Sequence, residues 1–374
     1  MPQSLHIIMT VNAAWNIVNF RMPLVKALIA DGHRITVLAP EDDSIAQLRG
    51  AGCEFIDLEM DKMGLNPLRD AGLFVRLRTH FKRLSPDLVL SFTIKNNVFG
   101  ALAAKSLQLP FIPNVTGLGT AFLSGGALLQ AAKILYRLAF RKLPVVFFQN
   151  QDDRDLFLQM KLVDRSQTQL LPGSGIDLAR FASAPFPEDD GETRFLLVAR
   201  LIRDKGVLEF VEAARILKHL QPNSRFQILG ALGFANRTSI DRALVEKWQE
   251  DGLVDYLGIC DDVREPLSKA HCIVLPSYRE GAPRTLIEGS ALARPAIATD
   301  VPGCNAVVDN GLTGLLCKVR DAQDLASKMV SFAAMPHKDK RDMGLRARQK
   351  MEREYSVERV VEAYRDAVTA AIRS

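Results

Sequence analysis

The chain's 374 residues exceed one ordinary α/β core and suit two domains, and its apolar and charged shares of 48% and 24% are those of a soluble globular protein. Five scattered cysteines, never spaced as CxxC, speak against a disulfide framework or a zinc site, and no uncharged apolar run approaches the roughly 20 residues that span a bilayer. The formal charge of +5 is uneven: residues 1–182 hold 20 Lys and Arg against 15 Asp and Glu, and between Lys62 and Lys142 twelve basic residues face only Asp70 and Asp87, which calls for an anionic partner of that half.

MPQSLHIIMTV at the start passes straight into an apolar run with no basic segment and no cleavage site, so the expected location is the cytoplasm. Short β-rich runs follow in order: LHIIMTV, RITVLAP, CEFIDLE, DLVLSFT, PFIPNVT, PVVFFQN and TQLLP, separated by helical periodicities such as FRMPLVKALIADG and NPLRDAGLFVRLRTHFKRL. The polar segment FPEDDGET, residues 186–193, reads as a linker, and the alternation starts afresh with RFLLVAR, RFQILGA, VDYLGI, HCIVLPS, PAIATD and TGLLC. The expected fold class is α/β, with two Rossmann-like doubly wound domains at 1–182 and 183–354 facing across a cleft. Ligands of such parallel sheets bind at the carboxyl ends of the strands.

Polar groups gather at three strand ends of the second half. In ARLIRDKG, Arg200 ends a strand and Lys205 opens the next helix, so a planar fork and a point charge can meet one diphosphate. REGAPRTLIEG, residues 279–289, leaves the run HCIVLPS through Gly281, which lets backbone approach a ligand, and Pro283, which suits the first position of a helix. That helix start, over Gly281, Ala282, Pro283, Arg284, Thr285 and Leu286, would offer unpaired N–H groups to a phosphate. Glu280 before it and Glu288 within it would bracket the anion, and carboxylates in that place make sense as acceptors from hydroxyls. Phosphates between hydroxyl-bearing groups describe a nucleotide sugar, with one of the two carboxylates on the transferred sugar and the other on the ribose. The third stretch, TDVPGCNAVVDNGLTGLLC, reads as a loop and a hairpin-like corner.

Taken together, ARLIRDKG, LPSYREGAPRTLIEG and TDVPGCNAVVDNGLTGLL resemble the family 4 retaining glycosyltransferases of the two-Rossmann GT-B fold, over nearly the whole chain. The resemblance implies that Arg200 and Lys205 bind the donor diphosphate, that Glu280 contacts the donor sugar and Glu288 the ribose, and that a last helix over 355–374 crosses back to the first domain. More narrowly, NFRMPLVKAL, SFTIKNNVFGALAAK and NVTGLGTAFL resemble bacterial enzymes that extend polyprenyl-diphosphate-linked glycans, N-acetylgalactosaminyltransferases among them. The acceptor or sugar side then involves Asn12, Trp15, Arg21, Lys95, Asn96, Thr116 and Gly117. Many relatives carry a Gly-Gly pair in the first loop and a His near the transferred sugar; VNAAWN and NVTGLG depart from both, and Thr116 with the Gly117 and Gly119 backbone would occupy the equivalent space.

An inverting transferase needs a carboxylate or His base on the acceptor side. The segments VNAAWN, SFTIKN and NVTG offer none, and Asp152 and Asp153 follow the late strand PVVFFQN, too far round, so retention with front-face displacement is the expectation. With side-chain cations present and no Asp-x-Asp cluster, neither a metal nor another cofactor is expected. The expected partners are a nucleotide sugar (UDP, with GDP the alternative), a lipid-linked glycan acceptor and an anionic membrane surface, which the basic stripe Lys133, Arg137 and Arg141 could approach, with no nucleic acid. A nucleotide-sugar 2-epimerase of the same fold and a two-domain sugar-binding protein are the rival readings.

Overall fold

The structure, a computed structural model, describes residues 4–61, 67–118, 126–233 and 238–373. The chain divides into two compact units, Met1–Gly175 with Val357–Ser374, and Ile176–Ser356. All thirteen apolar runs named above form strands.

In the first unit β1 (His6–Thr10), β2 (Arg34–Ala39), β3 (Glu54–Asp57), β4 (Leu88–Phe92), β5 (Phe111–Val115), β6 (Val146–Phe148) and β7 (Thr168–Leu170) lie in the order β3-β2-β1-β4-β5-β6-β7. Every pairing is parallel. The period of two along the strands splits the core: Ile7, Met9, Leu88 and Leu90 face one layer, whereas Ile8 and Val89 face the other. Helices cover both faces, so β1, β4 and β5 are buried at every position. Strand order reverses between β1 and β4, which places the loops after both strands at the switch point where ligands of such sheets bind.

The second unit repeats the plan with β8 (Thr193–Val198), β9 (Ser224–Leu229), β10 (Asp255–Tyr256), β11 (Cys272–Leu275), β12 (Ala296–Thr299) and β13 (Gly314–Cys317) in the parallel order β10-β9-β8-β11-β12-β13. Here the switch point lies between β8 and β11. The segment that reads as a linker is clamped within this unit. Arg294, fully buried, donates through its guanidinium to the carbonyls of Ala184, Pro185, Ser268 and Leu292, and lies 5.5 Å over the Phe186 ring.

The last helix, Val357–Arg373, belongs to the first unit. Its entry presses on Gly175, whose φ of +73° and 2.6 Å from a would-be Cβ to Val357 Cα leave room for glycine alone. Farther along, Tyr364 is fully buried, 4.7 Å from the Phe147 ring, and its hydroxyl accepts from Asn114 Nδ2 at 2.9 Å. Arg365 adds a two-pronged pair to Asp31 at 2.7 Å. Among the described residues no helix is long and apolar enough to cross a membrane.

Tyr364→Ala should therefore destabilise the first unit by about 3–5 kcal/mol, as loss of a large buried aromatic does, and Tyr364→Phe by about 1 kcal/mol, the net value of one hydrogen bond. Urea unfolding measures both; equal losses for the two variants would contradict a packing role for the ring.

Candidate functional site

Sequence-selected donor residues come together at the carboxyl edge of the second sheet. Arg200 stands exposed two residues beyond β8, and Lys205 closes a 3-10 turn, Arg203–Lys205. Gly206 follows at φ +70°, and a Cβ there would lie 2.1 Å from the Pro276 carbonyl oxygen, so this turn sits directly against the loop after β11. The approach brings Lys205 Nζ into an ion pair with Glu280 Oε1, both side chains mostly buried.

Glu280 is held from its other side by the third stretch. Its N–H donates to Pro302 O at 3.2 Å, and Gly303, at φ +84°, lets the Glu280 and Gly281 carbonyls approach to within 2.6 and 2.7 Å of where a Cβ would be. The turn read from the sequence as a loop thus shapes the site without supplying a side chain to it.

Pro283 is not the first helical residue. With ψ at 105° it stays extended and acts as the N-cap, and the helix runs Arg284–Ala291 with no side chain capping its start. Thr285 Oγ1 donates to Val198 O at 2.9 Å, which pins this start to the end of β8. Leu286 is core, so it can offer a ligand only backbone, while Gly281 and Ala282 are half-buried. Glu288 is 8% exposed and accepts from Arg284 Nε at 2.6 Å. Burial holds its carboxyl above the ordinary value, with the Arg284 guanidinium pulling the other way.

The first unit treats its candidates differently. Trp15 is 52% exposed, and Asn12, Thr116 and Gly117 are half-buried near the ends of β1 and β5; Gly119 lies outside the described residues. Arg21 is buried, its guanidinium 4.7 Å over the Phe92 ring. Lys95 pairs with Asp70 at 2.8 Å. Asn96 is fully buried, donating to Thr10 Oγ1 at 2.8 Å and accepting from Thr93 Oγ1 at 2.9 Å. That second bond steadies Thr93, a β-branched residue held at φ +76°. Asp153 accepts from Asn150 Nδ2 at 3.1 Å while its N–H donates to Asn150 Oδ1, so it is engaged in starting the helix Gln151–Gln159.

Sequence reasoning missed Tyr278, Glu209 and Arg320. The Tyr278 hydroxyl donates to Glu209 Oε1 at 2.7 Å, and Arg320 stacks 4.5 Å over its ring. Their partners are remote in sequence, so no local pattern could have signalled them.

Two family matches divide the chain. Residues 18–173 match the Glycosyl transferase 4-like domain, and residues 180–350 match Glycosyl transferases group 1. The chain belongs to the GT-B glycosyltransferases. This glycosyltransferase is 29% identical over 335 residues to the N,N'-diacetylbacillosaminyl-diphospho-undecaprenol alpha-1,3-N-acetylgalactosaminyltransferase of Campylobacter jejuni, covering 85% of this chain and 86% of that one. It is 25% identical over 278 residues, 70% of each chain, to the UDP-Gal:alpha-D-GlcNAc-diphosphoundecaprenol alpha-1,3-galactosyltransferase of Escherichia coli. Its fold is shared with a glycosyltransferase of Rickettsia africae (TM-score 0.77, 17% identity, all of both chains). Anabaena Alr3699/HepE, solved in complex with UDP and glucose, shares it too (TM-score 0.79, 16% identity, 98% of this chain and 100% of that one).

The buried Glu288 carries a pH signature. A carboxyl raised in the folded state binds its proton more tightly there, so its contribution to stability falls as pH climbs from below the ordinary 4.5 through the folded value. Glu288→Gln fixes the uncharged form, so its Tm should exceed the wild type's increasingly as pH rises above 4.5 and differ little below it. A Tm gain confined to acid pH would refute the desolvation account.

Proposed function

We propose that this glycosyltransferase moves a hexose or N-acetylhexosamine from a UDP-sugar to a polyprenyl-diphosphate-linked glycan with retention of anomeric configuration. The observation that carries the reading is the convergence of Arg200, Lys205, Glu280 and the uncapped start of the helix Arg284–Ala291 on one sheet edge, cation and carboxylate side by side. In this reading Lys205, Arg200 and the helix start bind the diphosphate, Glu280 accepts from a hydroxyl of the transferred sugar and Glu288 from the ribose. The anomeric C–O bond breaks with its electron pair passing to the β-phosphate oxygen, where the cations stabilise the growing charge. The acceptor oxygen bonds to the same face and its proton passes to that leaving oxygen. The acceptor class is supported by the Campylobacter and Escherichia relatives, whose names carry a diphospho-undecaprenol or diphosphoundecaprenol acceptor.

A panel of UDP- and GDP-sugars against undecaprenyl-diphosphate-linked N-acetylhexosamine and diacetylbacillosamine tests this. Transfer should need a UDP-sugar and give a product of the donor's anomeric configuration by NMR; inversion, or 2-epimerisation of the donor alone, would overturn the reading. Lys205→Ala should cost about two to three orders of magnitude in turnover, the usual effect of removing one preorganised charge stabiliser. Glu288→Ala should weaken UDP binding by about 1.5–3 kcal/mol, the value of a hydrogen bond to a charged group, and unchanged calorimetric affinity would exclude its ribose role.

An acceptor held in a bilayer requires the enzyme to work at that surface, and the helix Gly126–Phe140 suits the task. It buries Tyr136, Ala139 and Phe140 but leaves Ile134 and Leu138 56% and 52% exposed, one turn apart, with Arg141 exposed just beyond it. Arg137 is engaged otherwise than its spacing implies: Nε and Nη2 donate to the carbonyls of Lys161 and Met160 at 3.2 Å, so it is better left intact in a test. A variant with Ile134→Ser, Leu138→Ser, Lys133→Gln and Arg141→Gln should lose salt-sensitive binding to phosphatidylglycerol vesicles while still binding UDP. Wild-type indifference to those vesicles would remove the membrane from the proposal.

A further inference from the structure

Lys205 and Glu280 sit on separate loops, and a charge pair presented to a reacting centre is useful only if both loops share one register. The turn at Gly206 lies directly against Pro276, and besides the Lys205–Glu280 pair itself a second side chain ties the two segments together. Tyr278 stands two residues before Glu280; its N–H donates to Asp204 O at 2.9 Å, next to Lys205. From the same residue the phenol reaches Glu209 Oε1 at 2.7 Å in the first turn of the helix Val207–Leu220, the helix that Lys205 precedes. Arg320 closes the arrangement from above, its guanidinium 4.5 Å over the ring, at a φ of +58° that a non-glycine residue adopts only under constraint.

We propose that Tyr278, anchored by Glu209 and covered by Arg320, is a positioning residue that fixes Lys205 and Glu280 in register for sugar transfer. The proposal rests on the donor-site reading above. The phenol is a suitable strut because it remains a donor across the working range: burial, and then the Glu209 carboxylate, push it up to about 12. Glu209 in turn has its Oε2 buried with no hydrogen-bond partner among the described residues, so the phenol is the group that its carboxylate is oriented to meet.

Tyr278→Phe keeps the ring under Arg320 and removes only the donor. Turnover with the panel's best donor and acceptor should fall by about tenfold or more, in line with the sensitivity of rate to small misplacements of reacting groups, while calorimetric affinity for UDP stays within about threefold, since ground-state binding is less exacting. Glu209→Ala should match it and Glu209→Gln, which still accepts from the phenol, should restore most of the rate. The double variant Tyr278→Phe with Glu209→Ala should be no slower than either single one, as for two ends of one strut. All rates are taken well below each variant's Tm, so a purely structural role would lower Tm and leave turnover and the rescue by Gln unmoved; that result overturns the proposal. Lys205→Ala and Glu280→Ala separate the two levels of inference. If they abolish transfer while Tyr278→Phe does not slow it, the strut is wrong and the donor site stands; if they retain transfer, the donor site falls and the strut with it.

Discussion

A close backbone approach in the candidate site, Gly206 against Pro276, fixes what else can happen there. At 2.1 Å from a would-be Cβ to the Pro276 carbonyl oxygen, no side chain can be added without separating the two loops. Because the loops touch, Tyr278 N–H reaches Asp204 O and Lys205 reaches Glu280. A second glycine, Gly303, does the same for the loop after β12, on which the Glu280 backbone rests. Two residues without side chains thereby bring three segments of the chain together around the Lys205–Glu280 pair. Function in this reading begins with an absence of bulk at β8 and β12, and the charges follow.

Such a site stores unfavourable terms that a purely stable protein would discard. Glu288 is buried where its charged form is disfavoured, and Arg284, its partner four residues away, is itself 30% exposed and offsets the desolvation only in part. An amide would fill the same volume without that penalty. Retaining the carboxylate makes physical sense if a bound hydroxyl donates to it, which is the role the proposed function gives it. Thr93, at φ +76° on the first unit's edge, is a second local cost of the same kind, placed again at a strand's carboxyl end.

The sheets were legible because their central strands are covered on both faces and read as continuous apolar runs, whereas the edge strand β10, Asp255–Tyr256, is part-exposed and was legible only through its flanks in VDYLGI. Arg200, Lys205, Glu280 and Glu288 were legible because each stands within a few residues of a strand end or helix start, where local chemistry signals a phosphate site. Lys95 and Asn96 were legible as polar residues just beyond β4 and Arg21 through the stretch NFRMPLVKAL, but none in its surroundings: Arg21 packs on Phe92, Lys95 pairs with Asp70, and Asn96 joins Thr10 to Thr93. Pro283 was misplaced by one residue because its fixed φ fits both the first helical position and the extended cap before it. Tyr278, Glu209 and Arg320 were illegible for a different reason: each is ordinary in its own window, and only tertiary contact makes the three a unit.

A buried polar edge in the first unit shows how the two ends of the chain enter one arrangement. Thr10, Ser91 and Asn114 of β1, β4 and β5 and Asn96 and Asn97 of the helix Ile94–Lys105 are all essentially inaccessible. Polar groups so placed are tolerated when they bond one another, and here Asn96 joins Thr10 while Asn97 Nδ2 donates to Asn114 O at 2.7 Å. Asn114 then passes the contact to Tyr364, on a helix that arrives only after the whole second unit has been made. Until that helix docks, the Asn114 amide lacks this partner, and the carboxyl end of β5 rests on an incomplete network. Closing the first unit with the chain's last helix therefore ties the ordering of its own sheet edge to the far end of the sequence.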